Sequence, residues 1–242
     1  HRPWPLPRRP WMMTMSWVDL LFAHWRVEPE VLRRVLPDGL ELDTFEDQAY
    51  VGLVPFRMEN VGPRGLGWLP AKLPGPRAFA ELNLRTYVRR GGKPGVWFFS
   101  LDAVDPLAVW GARTFFHLPY FHAEIDVRRR DGWVEYRSQR RDRRSAAGEL
   151  KARYRPIGDA SRARRGSLEH WLTERYCLYA VDRRGRVLRG DIQHYPWPLY
   201  AAEAEIEVNT VGEAFGLPLE GEALWLHFSP RLDVICWWPK TA

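Results

Sequence analysis

The chain has 242 residues, 45% hydrophobic and 14% aromatic, which is enough length and apolar content to bury one sizeable core. That composition excludes disorder, coiled coil and collagen. A formal charge of +6 raises nucleic-acid binding as a function class, because clustered Lys and Arg neutralise phosphates.

The distribution of that charge argues against such a partner. Lys72, Lys93, Lys151 and Lys240 are the only lysines, and the densest arginine run, Arg128 to Arg165, follows turns and strand ends as a solvated face does. No run of about 18 apolar residues occurs. The greasy stretch from Trp11 to Trp25 is broken by Ser16, Asp19 and His24 and lacks a small-residue cleavage site. The expectation is no membrane span, no secretory signal and a cytoplasmic location. Cys177 and Cys236 lack metal-finger spacing and read as reduced, buried and inert.

In chain order, residues 1–10 hold four prolines and three arginines and read as an extended arm ahead of a single domain over 11–242. Glu28-Pro29-Glu30 opens a short helix that Pro37-Asp38-Gly39 stops. The period then changes to two. Ala49 to Phe56, Phe79 to Val88 and Val96 to Ala103 are predicted strands, the last two joined through Gly91 to Gly95. Val61 to Arg77 is a loop dense in Gly and Pro, suited to a lid or pocket rim. Asp105-Pro106 caps a short helix reaching about Phe115. Strands follow at Tyr120 to Arg128, Trp133 to Arg140 and Glu149 to Arg155. Ser167 caps a helix to about Arg175, and Tyr176 to Val181 pairs with Arg186 to Ile192. His194 to Pro198 is a rigid aromatic loop, and Ala223 to Phe228 and Leu232 to Trp238 are the closing strands. No repeat of 20 to 50 residues is present. The fold class is mainly β (α+β), a mostly antiparallel closed or cone-like sheet with a few short helices, around an interior wide enough for a small ligand.

The motifs of nucleotide-binding loops, serine hydrolases and zinc proteases are all missing. His117 and His122 flank Pro119 without a third ligand at metal-binding spacing, so neither a metal nor a cofactor is expected. On a strand, Glu81, Asn83, Arg85 and Tyr87 share one polar face. That face either meets solvent or lines a cavity, where Arg85 holds a carboxylate and Glu81 moves a proton. The neighbouring strand, with Trp97, Phe99 and Leu101 alternating with Phe98, Ser100 and Asp102, is apolar on both faces near one end, which favours the cavity.

Phe79 to Val88, Gly95 to Ala103, Leu118-Pro119-Tyr120, Phe22 to Val27, Arg175 to Tyr179 and His194 with Pro196-Trp197-Pro198 resemble the bacterial YqjF-like family of uncharacterised proteins. The resemblance covers nearly the whole chain and implies no particular reaction. A more distant resemblance is to the acetoacetate decarboxylases, whose G-R-E-x-x-G-x-P-K-K-x-A segment is matched at Arg113, Pro119 and Ala123. It implies the β-cone fold of that superfamily. In the decarboxylases the first of two paired lysines forms a Schiff base and the second lowers its pKa. Here those positions are Tyr120 and Phe121, and a phenol forms no imine.

The expected function is a small-molecule pocket for an anionic or oxygen-rich metabolite. Glu81 would serve as base and Tyr120 as acid or hydrogen-bond donor, Arg85 and Arg113 would hold the ligand, and His117 and His122 would stand nearby. Arg113 remains open between the pocket and a tie between strands. A non-catalytic binding module is the alternative, a basic nucleic-acid surface a weaker one, and a homo-oligomer stays open beside a monomer.

Overall fold

Alternating β-branched and aromatic residues, punctuated by turns rich in Gly, Asp and Pro, form a sheet of thirteen strands in a computed structural model that describes residues 1–64 and 78–242. The elements are β1 (Met13–Val27), α1 (Pro29–Val35), β2 (Glu41–Leu42), β3 (Ala49–Pro63), β4 (Phe79–Arg90), β5 (Lys93–Ala103), α2 (Pro106–Phe115), β6 (Tyr120–Arg130), β7 (Trp133–Arg140) and β8 (Glu149–Ser161). They continue with α3 (Leu168–Thr173), β9 (Cys177–Val181), β10 (Val187–His194), β11 (Leu199–Asn209), β12 (Trp225–Cys236) and β13 (Lys240–Thr241).

Two strands fork the sheet. β5 pairs in parallel with β9 at Val96 and Trp97, then with β6 from Leu101 to Ala103. β12 pairs with β11 at Phe228 and His227, then with β10 from Val234 to Cys236. Because β4 also pairs with β5, the sheet closes on itself twice: through β6, β7, β8 and β11, and through β9 and β10. The shared wall of β12, β1, β3, β4 and β5 is therefore covered on both faces. Leu21, Leu53, Leu82 and Leu84 pack on one side with Tyr136 and Tyr154. Phe22, Val54 and Phe56 pack on the other with Trp197, Leu232 and Val234.

Several elements differ from the sequence reading. β1 and β11 were not expected, and β3 extends to Pro63, into the segment read as loop. The remainder of that loop, with its lid reading and Lys72, lies outside the described residues. The two predicted closing strands are one continuous β12. Its pairing with β1 steps from Val18–Arg231 to Leu20–Ser229 past Pro230, where Asp19 adopts φ +54°, so the ring interrupts no ladder bond. β5 also makes the sheet mixed, with two parallel pairings.

Within the 1–10 arm the structure has no helix or strand. Arg2 lies buried against Asp191, and the Trp237 indole donates to the Arg9 carbonyl at 2.8 Å. The arginine-rich stretch carries a cross-strand ladder of ion pairs, Lys151–Glu207, Arg153–Glu205 and Arg155–Glu203. Among the described residues no helix is long and apolar enough to cross a membrane.

The β5–β9 fork depends on Gly95. A Cβ there would stand 2.8 Å from the Cys177 carbonyl and 2.8 Å from its Sγ. Gly95→Ala is expected to lower stability by about 1–3 kcal/mol, the usual cost of overpacking, measured by urea denaturation with an unchanged m-value. Wild-type stability in that variant would contradict this close approach.

Candidate functional site

β4 places the chemistry. Its alternation sends Leu82 and Leu84 into the larger core and turns Glu81, Asn83, Arg85 and Tyr87 to the opposite face, all buried. The polar face therefore meets protein interior and not solvent. Asn83 and Arg85 line a cavity of about 70 Å³ together with Trp17, Phe98, Arg175 and Trp197. Its walls come from β1, β3, β4, β5, β9 and β10, inside the second closure of the sheet. A larger groove of about 540 Å³ opens elsewhere, beside Arg130, Trp133 and Tyr200 at the β6–β7 turn.

Glu81 and Tyr120 meet directly. The Tyr120 hydroxyl donates to Glu81 Oε2 at 2.8 Å, and the Tyr136 hydroxyl donates to the Glu81 backbone carbonyl at 2.8 Å. Burial pushes the Glu81 carboxyl up to about 8, against hydrogen bonds from Tyr120 and Asn83 that favour its charged form. Burial and the Glu81 charge raise the Tyr120 phenol well above its ordinary range. The pair is thus an acid and a phenol at neutral pH. Neither lines the cavity; Asn83, in contact with Glu81 and in the cavity wall, joins the two.

Arg85 donates through Nη2 to the Leu172 carbonyl at 3.2 Å and approaches the Tyr87 hydroxyl at 3.5 Å. Tyr87 donates to the same carbonyl at 2.8 Å, so in the 2.6 Å contact between Tyr87 and His24 the donor is His24 Nε2–H. Burial, then the Arg85 charge, holds His24 well below its ordinary range, neutral. The C-terminal end of α3 thereby anchors the β4 side chains over the cavity.

Arg113, on α2, takes a structural position that ties the helix to the start of β6, not strand to strand. Its Nη1 donates to the Tyr120 carbonyl at 2.8 Å and its guanidinium lies 5.5 Å from the Phe121 ring centre, so it holds the backbone at Tyr120 and lines neither cavity nor groove. His117 sits at the turn with φ +55°, and His122 contributes backbone groups, its N–H donating to Asp142 at 3.0 Å and its carbonyl accepting from the Arg141 N–H at 2.9 Å. Neither histidine is brought to the cavity. Among the described residues no three His, Cys, Asp or Glu side chains form a metal cluster.

Sequence reasoning assigned no role to Arg175, Trp17, Trp197 or the Arg140–Asp102 pair. The last is fully buried and bidentate, at 2.9 and 3.0 Å, with Ser100 beside it. Burial pushes Asp102 up to about 6 against that arginine, which leaves the pair ionised at neutral pH. Their signal was weak, because each joins segments far apart in sequence.

Residues 14–233 match the model of DUF2071, a family described as an uncharacterized conserved protein. The chain belongs to that family. It is 48% identical over 227 residues to the uncharacterized protein YqjF of Bacillus subtilis (strain 168), covering 94% of this chain and 91% of that protein. Solved structures similar to it include the enduracididine biosynthesis enzyme MppR complexed with pyruvate, at TM-score 0.67 and 14% identity over 98% of this chain and 91% of that one. Acetoacetate decarboxylase from Legionella pneumophila aligns at TM-score 0.63 and 13% identity, over 99% and 92%. The fold of this DUF2071 member is therefore acetoacetate decarboxylase-like, as the sequence resemblance implied.

The Glu81 proton has a stability signature. Unfolded, the carboxyl ionises near its ordinary 4.5; folded, near 8. Between those values the native state holds the extra proton, so stability falls as pH rises through the window. Relative to Glu81→Gln, which keeps an acceptor for Tyr120, the wild type is expected to lose up to about 1.4 kcal/mol per pH unit there. Paired denaturation curves from pH 5 to 9 measure it, and a constant difference would contradict the assignment.

Proposed function

We propose that this chain binds a small anionic or oxygen-rich metabolite in the cavity beside Asn83 and Arg85 and moves a proton on it through Glu81 and Tyr120. The observation that carries this reading is a carboxyl buried without a cation at ion-pair distance among the described residues, hydrogen-bonded to a phenol and adjoining a cavity. Groups whose pKa lies near working pH are the effective acids and bases. Glu81 carries its proton at neutral pH and becomes the base predicted from sequence as pH approaches 8, while Tyr120 stays a phenol whose 2.8 Å hydrogen bond holds the Glu81 carboxyl in place. Arg113 acts by positioning Tyr120.

Schiff-base chemistry is outside this reading, because Tyr120 and Phe121 occupy the positions of the paired lysines. A protein of like fold is held in complex with pyruvate, a carboxylate of the size this cavity takes, which supports the ligand class. The ion-pair ladder on β8 and β11 lowers the charge available to a nucleic acid, which supports a small-molecule partner.

Pyruvate and acetoacetate in D2O, followed by NMR, test the proton transfer. Exchange at the carbon next to the carbonyl is expected to rise with pH towards about 8 and to fall by roughly 10²–10⁴ in Glu81→Gln. Ligand binding without exchange would favour the non-catalytic module instead. Borohydride with acetoacetate is expected to leave the intact mass unchanged, and an adduct mapped to Lys72 would contradict the absence of an imine.

A further inference from the structure

We propose that the cavity is a clamp for one short-chain monocarboxylate, its carboxylate held by Arg85 and Arg175 together with the indole N–H groups of Trp17 and Trp197. The proposal deepens the pocket reading above and rests on it. Its first ground is uncompensated charge. Arg85 is 9% exposed, and the described residues give it no carboxylate: it meets the Leu172 carbonyl, the Tyr87 hydroxyl and the face of Phe22, 5.1 Å from the ring centre. The sequence of the segment 65–77 contains neither Asp nor Glu. Arg175, also buried, has Asp43 at 2.6 Å, yet Asp43 is shared with Arg89. A cation taken out of water without a counter-ion is costly, and an anion in the cavity removes the cost.

The second ground is donors without acceptors. Among the described residues Trp17 Nε1, Arg85 Nε, Arg175 Nη2 and Trp197 Nε1 are buried without a hydrogen-bond partner, and all four residues line this one cavity. A carboxylate offers two oxygens with about four lone-pair sites, which matches four donors. Water would satisfy the N–H groups but not the charge.

Size and walls narrow the class. About 70 Å³ is roughly five times the ~10–15 Å³ one water needs, which suits about four to six non-hydrogen atoms. Most of the remaining wall is apolar, from Leu20, Val54, Phe56, Val96, Phe98, Leu178 and Ile192, with Asn83, Thr173 and His194 as its other polar members. A short carbon tail fits those walls, whereas phosphate or sulfate would press polar oxygens against them.

The test uses 15N-labelled full-length chain, with the Trp17 and Trp197 indole resonances assigned through Trp17→Phe and Trp197→Phe. Acetate, propionate and the neutral isostere propionamide are titrated in turn. Both indole resonances are expected to shift with the two carboxylates, and propionamide to bind at least tenfold more weakly. Arg85→Met is expected to lose more than tenfold in propionate affinity, with part retained in Arg85→Lys. If the methionine variant does not fold, propionate against propionamide in the wild type still decides. Equal response to propionamide overturns the clamp and leaves the pocket standing. No response of either indole to any probe overturns both, and D2O exchange with Glu81→Gln then shows whether the Glu81–Tyr120 chemistry survives elsewhere.

Discussion

Charge buried in a low-dielectric interior governs this molecule. The shared wall carries Glu81, Arg85 and Asp102, β7 carries Arg140, and the turn after α3 carries Arg175, all withdrawn from water. Each is accommodated differently. Asp102 and Arg140 face each other in a bidentate pair. Arg175 takes Asp43 on one side and lies 4.3 Å from the centre of the Trp171 ring. Glu81 keeps its proton. Arg85 rests on a carbonyl, a hydroxyl and a ring, which accept hydrogen bonds or offer a π-face without cancelling its charge.

That arrangement depends on the double closure of the sheet. An ordinary two-faced strand would expose one side, and Glu81, Asn83 and Arg85 would then be an unremarked solvated row. Because β5 and β12 each change partner along their length, β4 is covered on both faces, and its polar side becomes the wall of a small cavity. Gly95 permits one fork by admitting Cys177 closely, and Asp19, in the left-handed region opposite Pro230, keeps β12 continuous through the other. The fold is thus what converts four alternating side chains into a site.

Much of this was legible in the sequence where the information is local. The period-two alternation of residues 81–87 correctly grouped Glu81, Asn83, Arg85 and Tyr87, and turn chemistry located most strand ends. β1 escaped because its apolar run lacks alternation, being buried on both faces, and β12 was divided because Pro230 usually ends a strand. Arg113 was undecided from sequence, since a bond to the Tyr120 carbonyl is invisible until the chain turns at Pro119. Arg175 and the two cavity tryptophans were passed over for the same reason: they reach the cavity from segments about 70 to 110 residues distant from β4 in sequence.

The most direct measurement is the protonation state of Glu81 itself, followed through its side-chain carboxyl carbon by 13C NMR across a pH titration of the folded protein. The account predicts a carboxylic acid that persists through neutral pH and ionises at about 8, with the midpoint moving when Tyr120 is replaced by Phe. An ordinary midpoint near 4.5 would contradict it, since Glu81 would then be a permanent carboxylate.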